Sequence, residues 1–224
     1  MPEIVLESVG AEHLDVLARL SQLERHDLSE FRGTLPGDDG LFPDPRLRLY
    51  VEEPGREALL IRADGRLVGF ALVRPHETGG RSIGEFFVVR AARGLGVGRA
   101  AALALLRGRP GRWGIAFQEE NAVAARLWRR IAAEAAVGAV TEEVRLARDG
   151  VHADTWLWLE VADPVVQQEW DDAADAFDDE PDHGLRDPAA RETWAALLVS
   201  LLPDPPSDVA DIGCGTGTLS VLLA

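Results

Sequence analysis

Two short glycine-rich segments of this sequence have the composition of binding loops for an anionic cofactor. The first reads Arg93-Gly94-Leu95-Gly96-Val97-Gly98-Arg99. It lies between an apolar run and a run rich in alanine and leucine, which predicts a strand, a loop and a helix in that order. In such a turn, successive backbone N–H groups converge at the positive end of the helix, where they suit a phosphate. Arg93 and Arg99 could add charge-assisted contacts to a pyrophosphate.

This pattern is not specific by itself. An Arg or Gln followed by x-x-Gly-x-Gly/Ala arises by chance about 0.6 times in a chain of this composition. Its context carries more information, because another apolar run over residues 112–118 predicts a second strand, after which Asn121-x-x-Ala124 opens a second helix. The alternative interpretation of the glycines is an ordinary strand-to-helix turn.

The second segment is Asp211-Ile212-Gly213-Cys214-Gly215-Thr216-Gly217, which follows a short predicted strand over residues 209–212. Its pattern, Asp-x-Gly-x-Gly-x-Gly, is expected by chance only about 0.02 times in this chain. It is therefore the more specific of the two motifs.

Glu85 is the acidic residue with the strongest candidacy for acid–base chemistry. It interrupts the apolar strand predicted over residues 83–89, where alternation places it on one face with Phe87 and Val89. Partial desolvation at such a position would raise the carboxyl pKa toward the working range of a general base. The alternative is a solvated acid at the strand end, paired with a nearby arginine.

Composition excludes several classes of function. The net charge is −15, and residues 161–224 contain 14 acids against two arginines. Such a surface repels phosphate backbones and anionic lipid, so we expect neither a nucleic-acid partner nor a membrane partner. The single cysteine, Cys214, cannot form an internal disulfide, and the five histidines show no paired ligand spacing. We predict no metal site and a cytoplasmic protein.

The predicted elements run β-α-(loop)-β-β-β-α-β-α-β-β, followed by a shift in composition after Asp163-Pro164. A first helix is predicted over residues 12–23 and a long acidic loop over residues 27–54, with Asp64-Gly65 as a tight hairpin turn. We therefore predict two domains, residues 1–162 and 163–224. In the last strand of the first domain, Trp156 and Trp158 alternate onto one face, which covers either a core or a homodimer interface.

The glycine loop and the Asn-x-x-Ala helix start together resemble the GNAT superfamily of acyl-CoA N-acyltransferases over residues 3–161. The resemblance implies an α/β fold: a mixed, mostly antiparallel seven-stranded sheet flanked by helices, in which strands 83–89 and 112–118 splay apart around acetyl-CoA. It assigns the acyl and pantetheine portion of acetyl-CoA to the backbone of Val88 and Val89, and the pantetheine arm also to Asn121. The residues that it assigns to the pyrophosphate are Arg93, Gly94, Gly96, Gly98 and Arg99.

The same resemblance implies direct acetyl transfer to an amine in a ternary complex, with Glu85 as the general base. The sequence departs from the family at Trp128, where many members place a tyrosine that protonates the leaving thiolate. An indole N–H cannot do so, which leaves three options: Tyr50, the only tyrosine in the chain, water, or departure of the thiolate as the anion. The alternative role for Tyr50 is structural.

The acceptor is expected to enter between the segment around residues 27–50 and the turn around residues 149–154. The first of these is acidic, which favours a cationic small-molecule amine, although a merely solvated acidic loop is the alternative. A second overall interpretation is a non-catalytic acyl-CoA-binding module in a fusion whose main activity is methylation, suggested by Trp128.

The second glycine motif resembles the amino-terminal portion of class I S-adenosylmethionine-dependent methyltransferases, where Gly213, Gly215 and Gly217 approach the cofactor beside Asp211. A dinucleotide-type fold also needs an acid about 20 residues further on. The sequence stops 13 residues after Asp211. We therefore expect an incomplete Rossmann-like segment that neither binds S-adenosylmethionine usefully nor methylates.

Overall fold

A computed structural model describes residues 2–147, 150–174, 187–202 and 218–223. It divides the chain into two units, Met1–Asp163 and Pro164–Ala224. The strands of the first unit are β1 (Ile4–Ser8), β2 (Glu57–Ala63), β3 (Arg66–Pro75), β4 (Arg81–Val88), β5 (Gly111–Phe117), β6 (Thr141–Leu146) and β7 (Ala153–Val161). Its helices are α1 (Leu14–Arg32), α2 (Leu49–Glu52), α3 (Val97–Arg107) and α4 (Ala122–Ala135), with 3-10 turns at Ala11–His13 and Arg90–Ala92.

The seven strands form one sheet in the order β1-β2-β3-β4-β5-β7-β6. Every neighbouring pair is antiparallel except β4 and β5, which run parallel. Asp64 and Gly65 form the two-residue turn between β2 and β3, as their composition predicts. The mixed, mostly antiparallel sheet flanked by helices is therefore confirmed.

β4 and β5 pair over only three residues each, and the last pair joins Ile83 to Ile115. β4 continues to Val88 without β5 beside it, so the two strands separate as the resemblance implies. A β-bulge in β4 occurs at the same point, because Leu72 of β3 pairs with Glu85 while the next residue of β3 pairs with Ile83. The bulge therefore lies where the sheet begins to open.

Gly84 is the extra residue of this bulge. A Cβ atom at Gly84 would overlap the hydroxyl of Tyr50, which reaches the bulge from α2. Ile83, before the bulge, packs into a hydrophobic cluster on one face of the sheet, and Phe87, after it, packs into a cluster on the other face. Glu85 lies between these two residues in β4. Glu85 and Phe87 share a face, as alternation predicts.

The two faces of the sheet carry separate hydrophobic cores. The larger core packs α3 and α4 against one face and includes the fully buried Trp113, Leu105 and Ile131. The smaller core packs α1 and α2 against the other face around Leu17 and Phe70. These two cores fix α1 on one side of the β4–β5 opening and α4 on the other.

α1 is longer than the sequence predicts. It extends to Arg32, so residues 24–32 are helical and the predicted start of the long loop near Asp27 is wrong. Few apolar residues mark this last part of the helix, which is stabilised instead by ion pairs to other elements: Arg25 with Glu85, Asp27 with Arg90 and Arg93, and Arg32 with Asp154. The consequence is that several acidic residues assigned to a loop lie on a helix beside the cleft.

Trp156 and Trp158 share one face of β7, as predicted, and their rings stack with centroids 5.5 Å apart. His76 meets the Trp158 ring edge-on at 4.5 Å, and the guanidinium groups of Arg112 and Arg145 lie over the same ring. Trp158 is consequently buried within the first unit.

The described part of the second unit is helical: α5 (Pro164–Ala174), α6 (Pro188–Leu201) and α7 (Thr218–Leu223). α6 agrees with the helix predicted over residues 189–202, and Asp187 caps it by accepting a hydrogen bond from the Ala189 N–H. The second glycine motif, with Asp211, Gly213, Gly215 and Gly217, lies outside the described residues. Among the helices that are described, none is long and apolar enough to cross a bilayer.

Candidate active site

A cleft of about 310 Å³ lies where β4 and β5 stop pairing. Its walls come from α1, the loop after α1, the bulged part of β4, the end of β5 and the first turns of α4. Charged groups from Glu24, Arg25 and Glu85 line one side, and the rings of Phe86 and Trp128 line the other. The cleft thus joins an ionisable cluster to an aromatic wall.

Glu85 is partly buried in this cleft, with 16% of its side chain exposed. Its Oε1 accepts a hydrogen bond of 2.5 Å from Arg25 Nη2, while its Oε2 has no hydrogen-bond partner among the described residues. Burial raises the pKa of Glu85, although the positive charge of Arg25 and a hydrogen bond with Glu24 oppose that rise. The predicted pairing with an arginine is therefore present, but the carboxylate is buried rather than solvated.

Glu24 shows no signal of acid–base chemistry in the sequence. It is nevertheless buried more deeply than Glu85, at 6% exposure. Burial and the neighbouring charge of Glu85 raise its pKa well above the usual range. A signal was present in the sequence: Leu17, Leu20 and Glu24 follow the three-and-four spacing of one helix face, so Glu24 occupies an apolar position.

The loop between α1 and α2 adds a second layer to the ionisable cluster. Asp44 accepts hydrogen bonds from Arg25 Nη2 at 3.0 Å and from the hydroxyl of Ser21, which is itself fully buried. Arg25 therefore bridges Asp44 and Glu85 and fixes the orientation of both carboxylates. Further along α1, Arg32 forms an ion pair with Asp154 of β7. This ion pair links the two segments between which the sequence predicts acceptor entry.

The first glycine segment has the geometry of an anion-binding loop. Gly94 and Gly96 have φ angles of 76° and 80°, in the left-handed region that favours glycine. α3 begins directly after Gly96, and no side chain caps its N-terminus. The N–H groups of the first turn are therefore free of side-chain capping, as a bound pyrophosphate would require. A Cβ at either glycine would meet no described atom within 4 Å, so the loop surface is open.

The two arginines that flank the loop already have partners in the structure. Arg93 pairs with Asp27 of α1 and donates from Nε to the Val88 carbonyl at 2.7 Å. Arg99 forms a two-pronged ion pair with Glu134 of α4. The backbone of the loop, rather than these side chains, is thus the part that is free to receive an anion, and the assignment of both arginines to pyrophosphate stays a prediction.

Three other predicted cofactor-binding positions border the opening. The Val89 N–H donates to the Val68 carbonyl at 2.8 Å, and the Val88 carbonyl is occupied by Arg93, so these two groups are used within the protein. Asn121 lines the cleft and caps α4, its Oδ1 accepting from the Ala124 N–H at 3.2 Å. The predicted start of α4 is confirmed, while the roles of Val88, Val89 and Asn121 toward a ligand stay predictions.

Trp128 and Tyr50, the two residues that bear on the general acid, occupy different places. Trp128 lines the cleft and meets Phe86 edge-on, with ring centroids 5.2 Å apart. Tyr50 belongs to the smaller core, is 7% exposed and does not line the cleft. Burial raises the pKa of Tyr50, which makes its hydroxyl a weaker acid. The structure therefore brings Glu85 but not Tyr50 to the cleft.

No group of three or more His, Cys, Asp or Glu side chains able to hold a metal ion occurs among the residues that the structure describes. The cleft offers carboxylates, arginines and aromatic rings.

Comparison with other proteins assigns this architecture. No curated protein gives a significant match. Among solved structures, the ribosomal L7/L12 α-N-protein acetyltransferase RimL, in complex with coenzyme A, has a TM-score of 0.51 at 17% identity, over 71% of this chain and 94% of that chain. An acetyltransferase of the GNAT family from Bacillus cereus has a TM-score of 0.50 at 11% identity, over 72% and 99% respectively. One from Staphylococcus aureus has a TM-score of 0.50 at 12% identity, over 71% and 100%.

These likenesses show the fold of the first unit. The sequence model of the acetyltransferase (GNAT) family matches residues 17–136. This range is more than half of the chain and includes the cleft and the glycine loop. Its glycine loop and its β4–β5 opening have the features expected of acetyl-CoA-dependent acyltransferases. The chain therefore belongs to the acetyltransferase (GNAT) family.

Proposed function

We propose that this protein transfers an acetyl group from acetyl-CoA directly to the primary amine of a small-molecule acceptor, with both substrates bound together. The observation that supports this most is the cleft at the β4–β5 separation, which is lined by Glu24 and Glu85 and lies at the unpaired edge of β4, the strand that leads to the glycine loop. Acetyl-CoA supplies the acyl group as a thioester. The residues of the first unit supply binding, orientation and a proton acceptor.

The glycine loop fits the pyrophosphate of acetyl-CoA. Two left-handed glycines and the uncapped start of α3 present backbone N–H groups, and open space above Gly94 and Gly96 leaves room for a ligand. The unpaired edge of β4 runs from this loop toward Glu85. We propose that the pantetheine arm follows that edge past Asn121.

In this proposal Glu85 accepts the proton that the acceptor ammonium must lose before its nitrogen can attack a carbonyl carbon. The residue lines the cleft, no described N–H or hydroxyl group donates to its Oε2, and Arg25 holds Oε1 in place. Burial raises the pKa of Glu85, so its conjugate acid is closer in strength to an ammonium than an exposed carboxylic acid would be.

Tyr50 is the residue by which the general-acid step can be tested. We expect Tyr50→Phe to change kcat by less than about threefold, because general acid catalysis contributes about 100-fold or more and the buried hydroxyl does not line the cleft. Steady-state kinetics over pH 6 to 9 would measure this. A loss of 100-fold, with the melting temperature preserved, would instead show that Tyr50 protonates the leaving thiolate.

We further propose that the acceptor is cationic, because Glu24 and Glu85 line the cleft and a third acid, Asp44, shares Arg25 with Glu85. Arg25 neutralises one of these charges, and the exposed Arg46 is a second positive group on the cleft wall. The acceptor would approach past the ion pair between Arg32 and Asp154.

The test is release of free thiol from acetyl-CoA in the presence of kanamycin, putrescine, ethanolamine or glutamate. We expect release with at least one of the first three amines, at a rate at least about tenfold above that with glutamate, since anionic groups are repelled by the same carboxylates. Equal rates with glutamate and with the cationic amines would contradict the acceptor class but not the transfer reaction.

A second candidate function rests on Trp128, which occupies the position where a proton-donating tyrosine is usual. In this alternative the first unit, residues 1–162, binds acyl-CoA without turnover, as a regulatory module of an acetyltransferase–methyltransferase fusion in which residues 163–224 belong to an S-adenosylmethionine-dependent domain. Thermal stabilisation by acetyl-CoA without thiol release from any amine would favour this alternative. S-Adenosylmethionine binding at micromolar concentration would show that the second segment is functional.

A further inference from the structure

Glu24 presents a buried oxygen, Oε2, to which no described N–H group of the fold donates. The residue is 6% exposed, lines the cleft, and receives no hydrogen bond on Oε2 from any described N–H or hydroxyl group. A polar atom that is buried at such a depth without a donor destabilises the fold. A leucine at this position of α1 would avoid that cost and extend the apolar face formed by Leu17 and Leu20.

Glu85 presents a matching oxygen on the same side of the cleft. Its Oε2 is also buried without a partner among the described residues, while Arg25 occupies Oε1. The cleft therefore contains two carboxyl groups, one from α1 and one from β4, which hydrogen-bond to each other and each have one oxygen that no described N–H or hydroxyl group occupies. An ammonium group carries three N–H donors and can contact both oxygens at once.

The surrounding charges determine how protons are shared. Facing the two carboxyls are Arg25 from α1, Asp44 and Arg46 from the loop, and Tyr50 from α2. Burial raises the pKa of both acids, and the charge of Glu85 raises that of Glu24 further, whereas Arg25 lowers both. Two close carboxyls that interact titrate as one unit, in which Glu24 holds the shared proton more strongly because its pKa is raised further.

We propose that Glu24 and Glu85 form a single proton-sharing pair that contacts the amino group of the acceptor, which makes Glu24 a second catalytic residue beside Glu85. This inference rests on the proposed acetyl transfer and adds a residue to it. Arg25, held by Asp44, acts as a positioning residue, because it fixes Glu85 through Oε1 and leaves Oε2 to the acceptor.

The proton balance of this proposal is complete. The acceptor ammonium gives one proton to Glu85, so that the pair holds two protons and is neutral while the nitrogen lone pair becomes free. Formation of the amide C–N bond and cleavage of the thioester C–S bond then release CoA as the thiol, which takes the second nitrogen proton. The pair returns its extra proton to solvent through the cleft, and the net products are the amide, free CoA thiol and one proton.

Carbon-13 NMR of glutamate-labelled protein tests the pair without any acceptor. We expect one carboxyl resonance of the wild type to titrate well above the usual glutamate range, to disappear in Glu24→Gln, and to titrate lower in Glu85→Gln, where the neighbouring charge is removed. Glu12→Gln, at an exposed carboxylate near the start of α1, is the control and should leave that resonance unchanged. If every carboxyl in the wild type titrates in the usual range, the pair does not exist and the proposal is wrong.

Kinetics with the amine that releases thiol fastest test the catalytic role. We expect Glu24→Gln to lower kcat/KM about tenfold or more, and the double variant Glu24→Gln, Glu85→Gln to lose little more than Glu85→Gln alone, because the two groups act as a unit. Glu24→Gln keeps the size of the side chain and replaces the O–H donor of the neutral acid with an amide N–H donor, so its melting temperature should not fall. Multiplicative losses, or wild-type kinetics in Glu24→Gln, would overturn the inference while leaving acetyl transfer intact. Absence of thiol release by the wild type would instead contradict the proposed function.

Discussion

Replacing Glu85 by glutamine is expected to lower kcat at neutral pH about 100-fold, since positioned general bases contribute about 100-fold or more. Glutamine keeps the length of the side chain and can still accept a hydrogen bond from Arg25, which now contacts Glu85 Oε1 at 2.5 Å. It cannot take a proton from the acceptor ammonium. Binding of acetyl-CoA should be unchanged, because the glycine loop lies at the other end of the β4 edge.

The pH profile gives this prediction a second readout. Only the ionised carboxylate can act as a base, and burial raises the pKa of Glu85. We therefore expect kcat/KM of the wild type to fall with decreasing pH, through a midpoint above the ordinary glutamate value, and this acidic limb to be lost in Glu85→Gln. The control Glu12→Gln should retain both the rate and the profile. A Glu85→Gln variant with the wild-type rate at neutral pH would remove Glu85 from the mechanism.

Replacing Gly96 by alanine is expected to weaken acetyl-CoA binding about tenfold or more. Gly96 is the N-cap of α3, and its φ angle is 80°. This conformation costs an alanine about 1–2 kcal/mol. Relief of that strain would move the first-turn N–H groups away from a bound pyrophosphate, and an added methyl group would project into the open space that the ligand needs.

A matched control separates ligand binding from backbone strain. Gly40 has a φ angle of 75° and also has no described atom within 4 Å of its Cβ position, but it lies in the loop between α1 and α2. We expect Gly40→Ala to lower the melting temperature as Gly96→Ala does, without weakening acetyl-CoA binding measured by calorimetry. If both variants bind acetyl-CoA as the wild type does, the glycine loop is not the pyrophosphate site.

The glycine loop and its flanking elements are predictable from sequence because their signals are local. The apolar run of β4, the two glycines with positive φ and the alanine-rich α3 follow one another directly, and each has its own compositional signature. The hairpin at Asp64-Gly65 and the Asn121 cap are local in the same sense. These parts of the fold appear in the structure within about two residues of their predicted bounds.

The acidic side of the cleft is less predictable, since distant partners stabilise it. Residues 24–32 lack a regular apolar repeat, and their helical conformation depends on ion pairs to residues as far away as Glu85 and Asp154. Neither the bulge at Gly84 nor the free oxygens of Glu24 and Glu85 has a local signature. Glu85 is recognisable as a candidate base because it occurs in an apolar strand. Glu24 is recognisable as its neighbour only once the packing of α1 against the sheet is known.

The contact between Gly84 and Tyr50 restricts how homologous chains can diverge. Because a Cβ at position 84 would overlap the Tyr50 hydroxyl, a side chain can appear there only in a chain whose residue 50 is smaller or has moved away. The two positions, 34 residues apart in the sequence, should therefore covary. An ancestor that lost the bulge glycine first would have displaced the neighbouring carboxylate, so the order in which the two substitutions occur decides whether an intermediate chain keeps its activity.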